Sequence, residues 1–178
     1  MSRGVLIYLT PIEQELKRSE AVQRAKGRVL ASSISYTPEG RPRLDGHPDS
    51  SLSISHSQHW LAIAIGPEGE ALGIDVEEKW AQAKRALPRY STAEEQRLLE
   101  AYALEPIQLW TAKEAVYKAH SELLSKGINQ IEMMSPTLYI ATTDSGEKVV
   151  QKVYSQYLST QKLYLSVATD SEIELLMI

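Results

Sequence analysis

Two short stretches hold side chains that could do chemistry together. "GIDVEE" puts Asp75 and Glu77 two residues apart. In an extended strand alternate side chains share a face, so both carboxylates project to one side about 7 Å apart, and Ile74 and Val76 project to the other. Like charges at that spacing repel unless a cation neutralises them. Magnesium suits such a pair, because it takes oxygen ligands, commonly one or two carboxylates plus substrate phosphates. A solvated strand end has the same pattern.

The second stretch is "LWTAKEAVYKAH", Leu109 to His120. At about 100° per residue, Ala112, Ala115, Val116 and Ala119 gather on one side of a helix. Trp110, Lys113, Glu114, Tyr117 and Lys118 gather on the other. The small residues predict close packing against a sheet. The polar side either meets water, with Glu114 and Lys118 as an i,i+4 pair, or lines a site where a carboxylate and an ammonium stand one turn apart. In "SISHS", alternation sets Ser53, Ser55 and Ser57 on one face and Ile54 and His56 on the other. His56 is either a phosphate donor or a half-buried structural residue. "EGRP", Glu39 to Pro42, offers the Arg41 guanidinium on a loop, suited to phosphate or simply solvated.

These residues need elements to position them. "GVLIYLT" predicts a first strand. Apolar residues at Leu16, Ala21, Val22, Ala25, Val29 and Leu30 predict a helix within Glu13 to Ser32. "TPEGRPRLDGHPDSS" reads as a long loop. "LSISHS", "WLAIAIG" and "ALGIDVEE" read as strands, joined across "GPEGEALG". A short helix, "WAQAKRALPRY", is expected to run to Pro88. Ser91 or Thr92 caps the next, with Glu94 or Glu95 completing a capping box. Pro106 suits the first turn of the helix carrying Glu114. "TLYIATTD", "KVVQKVYSQYL" and "KLYLSVATD" predict three closing strands, with turns at Ser145–Gly146 and Thr160–Gln161. Strands and helices alternate in blocks and end in antiparallel turns, so the class is α+β.

The 178 residues are enough for one domain or two small joined halves. No apolar run is long enough to span a bilayer, and the N-terminus lacks the pattern of a secretory signal. There are no cysteines, which excludes disulfides and thiolate metal sites. A cytoplasmic protein is expected. The net charge of −4 argues against general nucleic-acid binding, and no membrane association is expected.

"GRP", "SISHS", "LGIDVEE" and "WTAKEAVYKA", in that order, resemble the 4′-phosphopantetheinyl transferase family. Its signature of Gly-Ile/Val-Asp-x-Glu, then Trp/Phe-Ser/Cys/Thr-x-Lys-Glu-Ala/Ser-x-x-Lys, is filled by Gly73, Ile74, Asp75 and Glu77, and by Trp110, Thr111, Lys113, Glu114, Ala115 and Lys118. The likeness runs from about Gly27 to Ile128. It is nearest to the larger, pseudo-dimeric branch, with a shortened N-terminal half. Arg41 stands where that branch commonly has Lys, and Ser53 where it commonly has Asn.

The resemblance implies two similar α/β halves related by a pseudo-twofold axis. Each would be a small antiparallel sheet packed with helices, residues 1–68 and 69–178, with the active site in the cleft between them. It implies transfer of the phosphopantetheine arm of coenzyme A, the co-substrate, to a serine of an acyl or peptidyl carrier protein by a monomer. Asp75, Glu77 and Glu114 would bind Mg²⁺ or Mn²⁺. Glu114 would take the serine proton, and Lys118 and Lys113 would meet the phosphates. His56, Ser55 and Arg41 would hold the nucleotide's phosphates, with Arg24 or Arg28 on the 3′-phosphate. Lys79, Lys84, Arg85 and Arg89 form a cationic face for an acidic carrier, with an apolar seam of Trp80, Ala83 and Leu87. Two other readings use the same residues: a magnesium-dependent nucleotide phosphohydrolase, and a non-catalytic module that binds carrier or coenzyme A.

Overall fold

The computed structural model describes residues 4–38 and 40–178; Glu39 of the "EGRP" loop lies outside them. The chain runs β1 (Val5–Pro11), α1 (Arg18–Val29), β2 (Ile34–Tyr36), β3 (Pro42–Leu44), β4 (Ser50–His56), β5 (Trp60–Pro67) and β6 (Gly73–Glu77). It continues through α2 (Trp80–Tyr90), α3 (Ala93–Ala101), α4 (Pro106–His120), β7 (Ile131–Ser135), β8 (Leu138–Thr142), β9 (Lys148–Leu158), β10 (Leu163–Ala168) and β11 (Ile173–Met177). The class is mixed α+β. A four-stranded sheet has the order β11-β1-β5-β4, a five-stranded sheet the order β6-β10-β9-β8-β7, and β2 and β3 form a hairpin.

The burial pattern stacks these elements in layers. Alternation along β1 and β5 sends Val5, Ile7, Leu9, Ala62 and Ala64 into one core and Leu61 and Ile63 into another. In the first core they meet Ile74, Val76, Leu163, Leu165 and Val167 of β6 and β10, so the two sheets pack face to face. In the second, Ala21, Val22 and Ala25 of α1 cover the outer face of the four-stranded sheet. On the far side of the five-stranded sheet, α4 lays Leu109, Ala112, Ala115, Val116 and Ala119 against Ile131, Met133, Tyr139, Ala141 and Val153. No helix among the described residues is long and apolar enough to cross a membrane.

Several expectations need correction. The loop after α1 contains the β2–β3 hairpin, whose strands are only three residues each. α2 continues through Pro88 to Tyr90. A proline in the last turn removes one backbone donor, and the Tyr90 ring is buried enough to hold the helix end in place. The tail carries five strands, not three. β7 leads into β8, and β11 returns to pair in parallel with β1, Val5 opposite Ile173. The end of the chain therefore completes the first sheet, and a division at residue 68 is crossed by that strand.

Candidate active site where the two sheets meet

The catalytic-looking residues come from β4, β6 and α4, and each is placed by a local backbone requirement. β6 is an edge strand of its sheet. Its outward N–H groups have no neighbouring strand and are met by side chains of β4. Ile74 N donates to Ser53 Oγ (3.0 Å) and Val76 N to Ser55 Oγ (3.3 Å). That explains the serine alternation: Ser53 and Ser55 are buried acceptors for a strand edge. On the other side of β6, α4 approaches so closely that a Cβ on Gly73 would lie 1.8 Å from the carbonyl oxygen of Ala115.

That approach brings Lys118 onto Asp75. The Lys118 Nζ donates to Asp75 Oδ1 (2.8 Å) and to the carbonyl oxygen of Ile74 (3.0 Å). Ser55 Oγ donates to the same Oδ1 at 2.8 Å. Asp75 is only 6% exposed, and its Oδ2 is buried with no hydrogen-bond partner. Glu114 stands in the same electrostatic neighbourhood. Burial, then the charge of Asp75 and that of Glu77, push its carboxyl up to about 7, against the pull of Lys118. Burial and Asp75 also raise Glu77. Asp75 thus raises both Glu77 and Glu114, and Glu77 adds to the rise at Glu114.

The remaining expected residues divide. The helix face read as one polar surface is two stripes. Glu114 and Lys118 turn to β6, while Trp110, Lys113 and Tyr117 pack inward. The Trp110 ring meets Tyr90 edge-on at 5.0 Å. Lys113 is 2% exposed, and its ammonium donates to the carbonyl oxygen of Tyr90 (2.7 Å) and to Glu95 (2.9 Å). Glu95 completes the capping box with Thr92 and accepts from Met133 N (2.8 Å). Lys113 is thus engaged away from the carboxylates. Arg41 closes the far end of α4. Its Nη2 donates to the carbonyl oxygen of Ala119 (2.7 Å), and its Nε lies 3.1 Å from Glu122. Arg24 pairs with Glu13 at 3.1 Å and Arg28 with the same carboxylate at 2.7 Å.

Arg18 is a residue that sequence reasoning missed. It donates to the carbonyl oxygens of Ser57 and Gln58, and its Nη2 lies 3.1 Å from His56 Nδ1. Burial and the Arg18 charge lower the His56 pKa, which favours the neutral ring. With Arg18 donating to Nδ1, the ring hydrogen sits on Nε2. Both residues line a cavity of about 490 Å³ shared with Gln14, Glu77, Glu78 and Lys79. Only its contact across 38 positions of chain marks Arg18; no local motif does.

The donors here are carboxylate oxygens. Asp75 Oδ2 is buried without a partner, and burial and like charges, not hydrogen bonds, raise Glu114. Both are oxygen donors of the type magnesium takes. Among the described residues, however, no three of His, Cys, Asp and Glu form a ready-made ligand group. The Lys118 ammonium supplies the local positive charge instead.

The family model described as the 4'-phosphopantetheinyl transferase superfamily matches residues 71–173, more than half of the chain. The chain belongs to this superfamily. The match begins just before Gly73 and takes in both acidic motifs, with β6, α4 and β10. A Synechocystis sp. protein named "Putative 4'-phosphopantetheinyl transferase slr0495" is 30% identical over 137 residues, 70% of this chain and 54% of that protein. The chain therefore spans about half the length of the curated relative it matches.

Proposed function

We propose that this protein transfers the 4′-phosphopantetheine arm of coenzyme A to a serine of an acyl or peptidyl carrier protein and releases adenosine 3′,5′-bisphosphate. One observation carries this reading within the family. Glu114 is a part-buried carboxyl poised near pH 7, one helical turn from an ammonium that already reaches a second carboxylate.

A serine hydroxyl is a poor nucleophile at neutral pH and needs a base. A carboxyl titrating near 7 is part ionised there, basic enough to accept a proton and still available as carboxylate. In the proposed step the serine Oγ bonds to the phosphorus that bears the pantetheine arm. The bond from that phosphorus to the bridging oxygen breaks, the adenosine phosphate departs with that oxygen, and the serine proton goes to Glu114. Lys118 stabilises charge on the phosphates as it develops. Asp75, Glu77 and Glu114 would hold magnesium, which supplies neutralisation of the pyrophosphate when bound.

The cavity beside Glu77 suits the nucleotide end of coenzyme A. Arg18 and the Nε2–H of His56 present donors to its phosphates. Ser55 acts through Asp75, whose carboxylate it orients. Arg41 acts through α4 by holding its C-terminal end.

The test is incubation with coenzyme A, magnesium and an apo carrier protein, followed by mass spectrometry. A mass gain of one phosphopantetheine on the carrier is expected. Release of adenosine bisphosphate from coenzyme A without any carrier would mark a hydrolase and reject the transfer reading. Neither product would leave a binding module.

A further inference from the structure

The core between the two sheets is open along one side. β1, β5 and β11 meet β6, β10 and β9 across it, and no residue of β7 or β8 belongs to it. Its lining nevertheless continues into solvent on both sheets. Ile173 and Met177 of β11 are register partners of Val5 and Leu9 and project to the same side, yet Met177 is 49% exposed. On the other sheet, Tyr154 of β9 is the partner of buried Val167, and Val150 is the partner of Ile140. Val150 is 56% exposed, Met134 and Tyr154 are exposed, and Leu138 and Ile140 are half-buried. The alternate residues of these strands, among them Met133, Tyr139 and Val153, are the ones buried beneath α4. The five-stranded sheet thus runs on past β11 as an uncovered apolar step made by β9, β8 and β7.

Charge is divided across this face. Glu132 of β7, Ile140 of β8 and Val150 of β9 form one cross-strand row. Lys148 and Lys152 lie on either side of Val150 on the same face of β9. Glu132, Lys148 and Lys152 are exposed, and none of them forms an ion pair among the described residues. Acid therefore lies on one outer strand, base on the other, and apolar side chains between them. A twofold axis along β8 would lay β8 on β8 and bring Glu132 of each copy between Lys148 and Lys152 of its partner. An axis across the strands would set Glu132 on Glu132, which like charges oppose. The shape has the same symmetry. Turned about the axis along β8, the overhanging strands of one copy fill the step beside β11 of the other, where Ile173 and Met177 are exposed.

We propose that the uncovered face of β7, β8 and β9 is the interface of a twofold-symmetric dimer of this chain. The same patch serves both copies, as a closed twofold contact requires. Two faces of this size bury on the order of 1,000 Å² in total, near the lower bound for a specific interface, so assembly is expected in the micromolar range. β6 is the opposite edge of the same sheet, so Asp75 and Glu77 stay open in both copies. This dimer does not depend on the transfer reading.

The test is sedimentation velocity on the whole chain over roughly 1–100 µM, where a concentration-dependent shift from monomer to dimer is expected. Ile140→Glu sets two carboxylates against each other at the axis and should raise the dimer Kd about tenfold or more. Glu132→Lys sets like charges together and should do the same. Adding Lys148→Glu and Lys152→Glu to Glu132→Lys makes the charges opposite again and should return the Kd to the wild-type value. Glu20→Lys makes the same charge change on α1, outside the four-stranded sheet, and should leave the dimer unaltered. If Ile140→Glu does not fold, the charge series still decides, because its three positions are exposed. A wild type that stays monomeric throughout overturns the proposal and leaves the face to a different partner. So does a dimer that Glu132→Lys leaves intact, a triple variant that stays monomeric, or an equal loss in Glu20→Lys.

Discussion

Gly73 and Ala115 are in backbone contact. A Cβ at residue 73 would stand 1.8 Å from the Ala115 carbonyl oxygen and 2.8 Å from the Ala119 nitrogen. The obstructing atoms are helix backbone, which cannot rotate aside as a flexible side chain would. Gly73→Ala must therefore lift α4 from β6 or bend it. We expect a loss of about 3 kcal/mol or more in urea unfolding. Gly27→Ala is the control. No atom lies within 4 Å of its added Cβ, and in the last turn of α1 it should stabilise by at most about 0.5–1 kcal/mol. Equal effects at both positions would refute the close approach.

The Lys113–Glu95 pair is an ion pair almost sealed from water, with both side chains 2% exposed. It joins the ends of α2 and α3 to α4 and, through Met133 N, to β7. Lys113→Met strands a buried carboxylate and should cost about 3–5 kcal/mol. Adding Glu95→Gln removes that stranded charge and should recover most of the loss, which a double-mutant cycle on Tm measures. A phosphate-binding Lys113 would instead shift the coenzyme A KM with little change in Tm.

Glu114 gives stability a pH dependence of known sign. Its folded pKa, about 7, lies above the ordinary 4.5. Between those values the native state keeps a proton that the unfolded chain has released, so stability falls as pH rises through that window. Glu114→Gln removes the ionised form. In metal-free buffer it should be the more stable protein at pH 8, by roughly 1–3 kcal/mol, and match the wild type near pH 4.5. A constant difference across that range would place the raised pKa elsewhere.

Lys118 reaches Asp75 and one turn along the helix lies Glu114. Removing its charge with Lys118→Ala should lower kcat for phosphopantetheine transfer of order 10²-fold or more. The fold should remain intact by circular dichroism, because the ammonium is partly exposed. An unchanged rate would make Lys118 purely structural.

Arg18 and His56 face the cavity beside Glu77. Losing a donor to a charged phosphate weakens binding without touching the base. Arg18→Ala and His56→Ala should each raise the coenzyme A KM about tenfold, with kcat near the wild-type value. A fall in kcat at constant KM would move both residues from binding to chemistry.

Much of this was readable one residue at a time. Period-two spacing put Asp75 and Glu77 on one face of β6 and Ser53 and Ser55 on one face of β4; Ser57 lies just past the end of β4 and is buried as they are. The alanines of α4, the Thr92–Glu95 capping box and the Pro106 start depend only on neighbours within a turn or two, and each formed where its local chemistry required. The two motifs also sufficed to indicate the family.

Other features depended on what lies across the chain. Helix geometry placed Trp110, Lys113 and Glu114 on one polar side. Only the packing of α2 and α3 separates them, because a helix buried on several sides has no single wet face. Arg18 meets His56 across 38 residues, Tyr157 joins Tyr164 through strand register, and β11 returns to β1 from the far end of the chain. Local spacing is set by bond geometry and is written in sequence. Which distant edge, charge or ring fills the space beside it depends on how the layers stack, and that is decided only when the core closes.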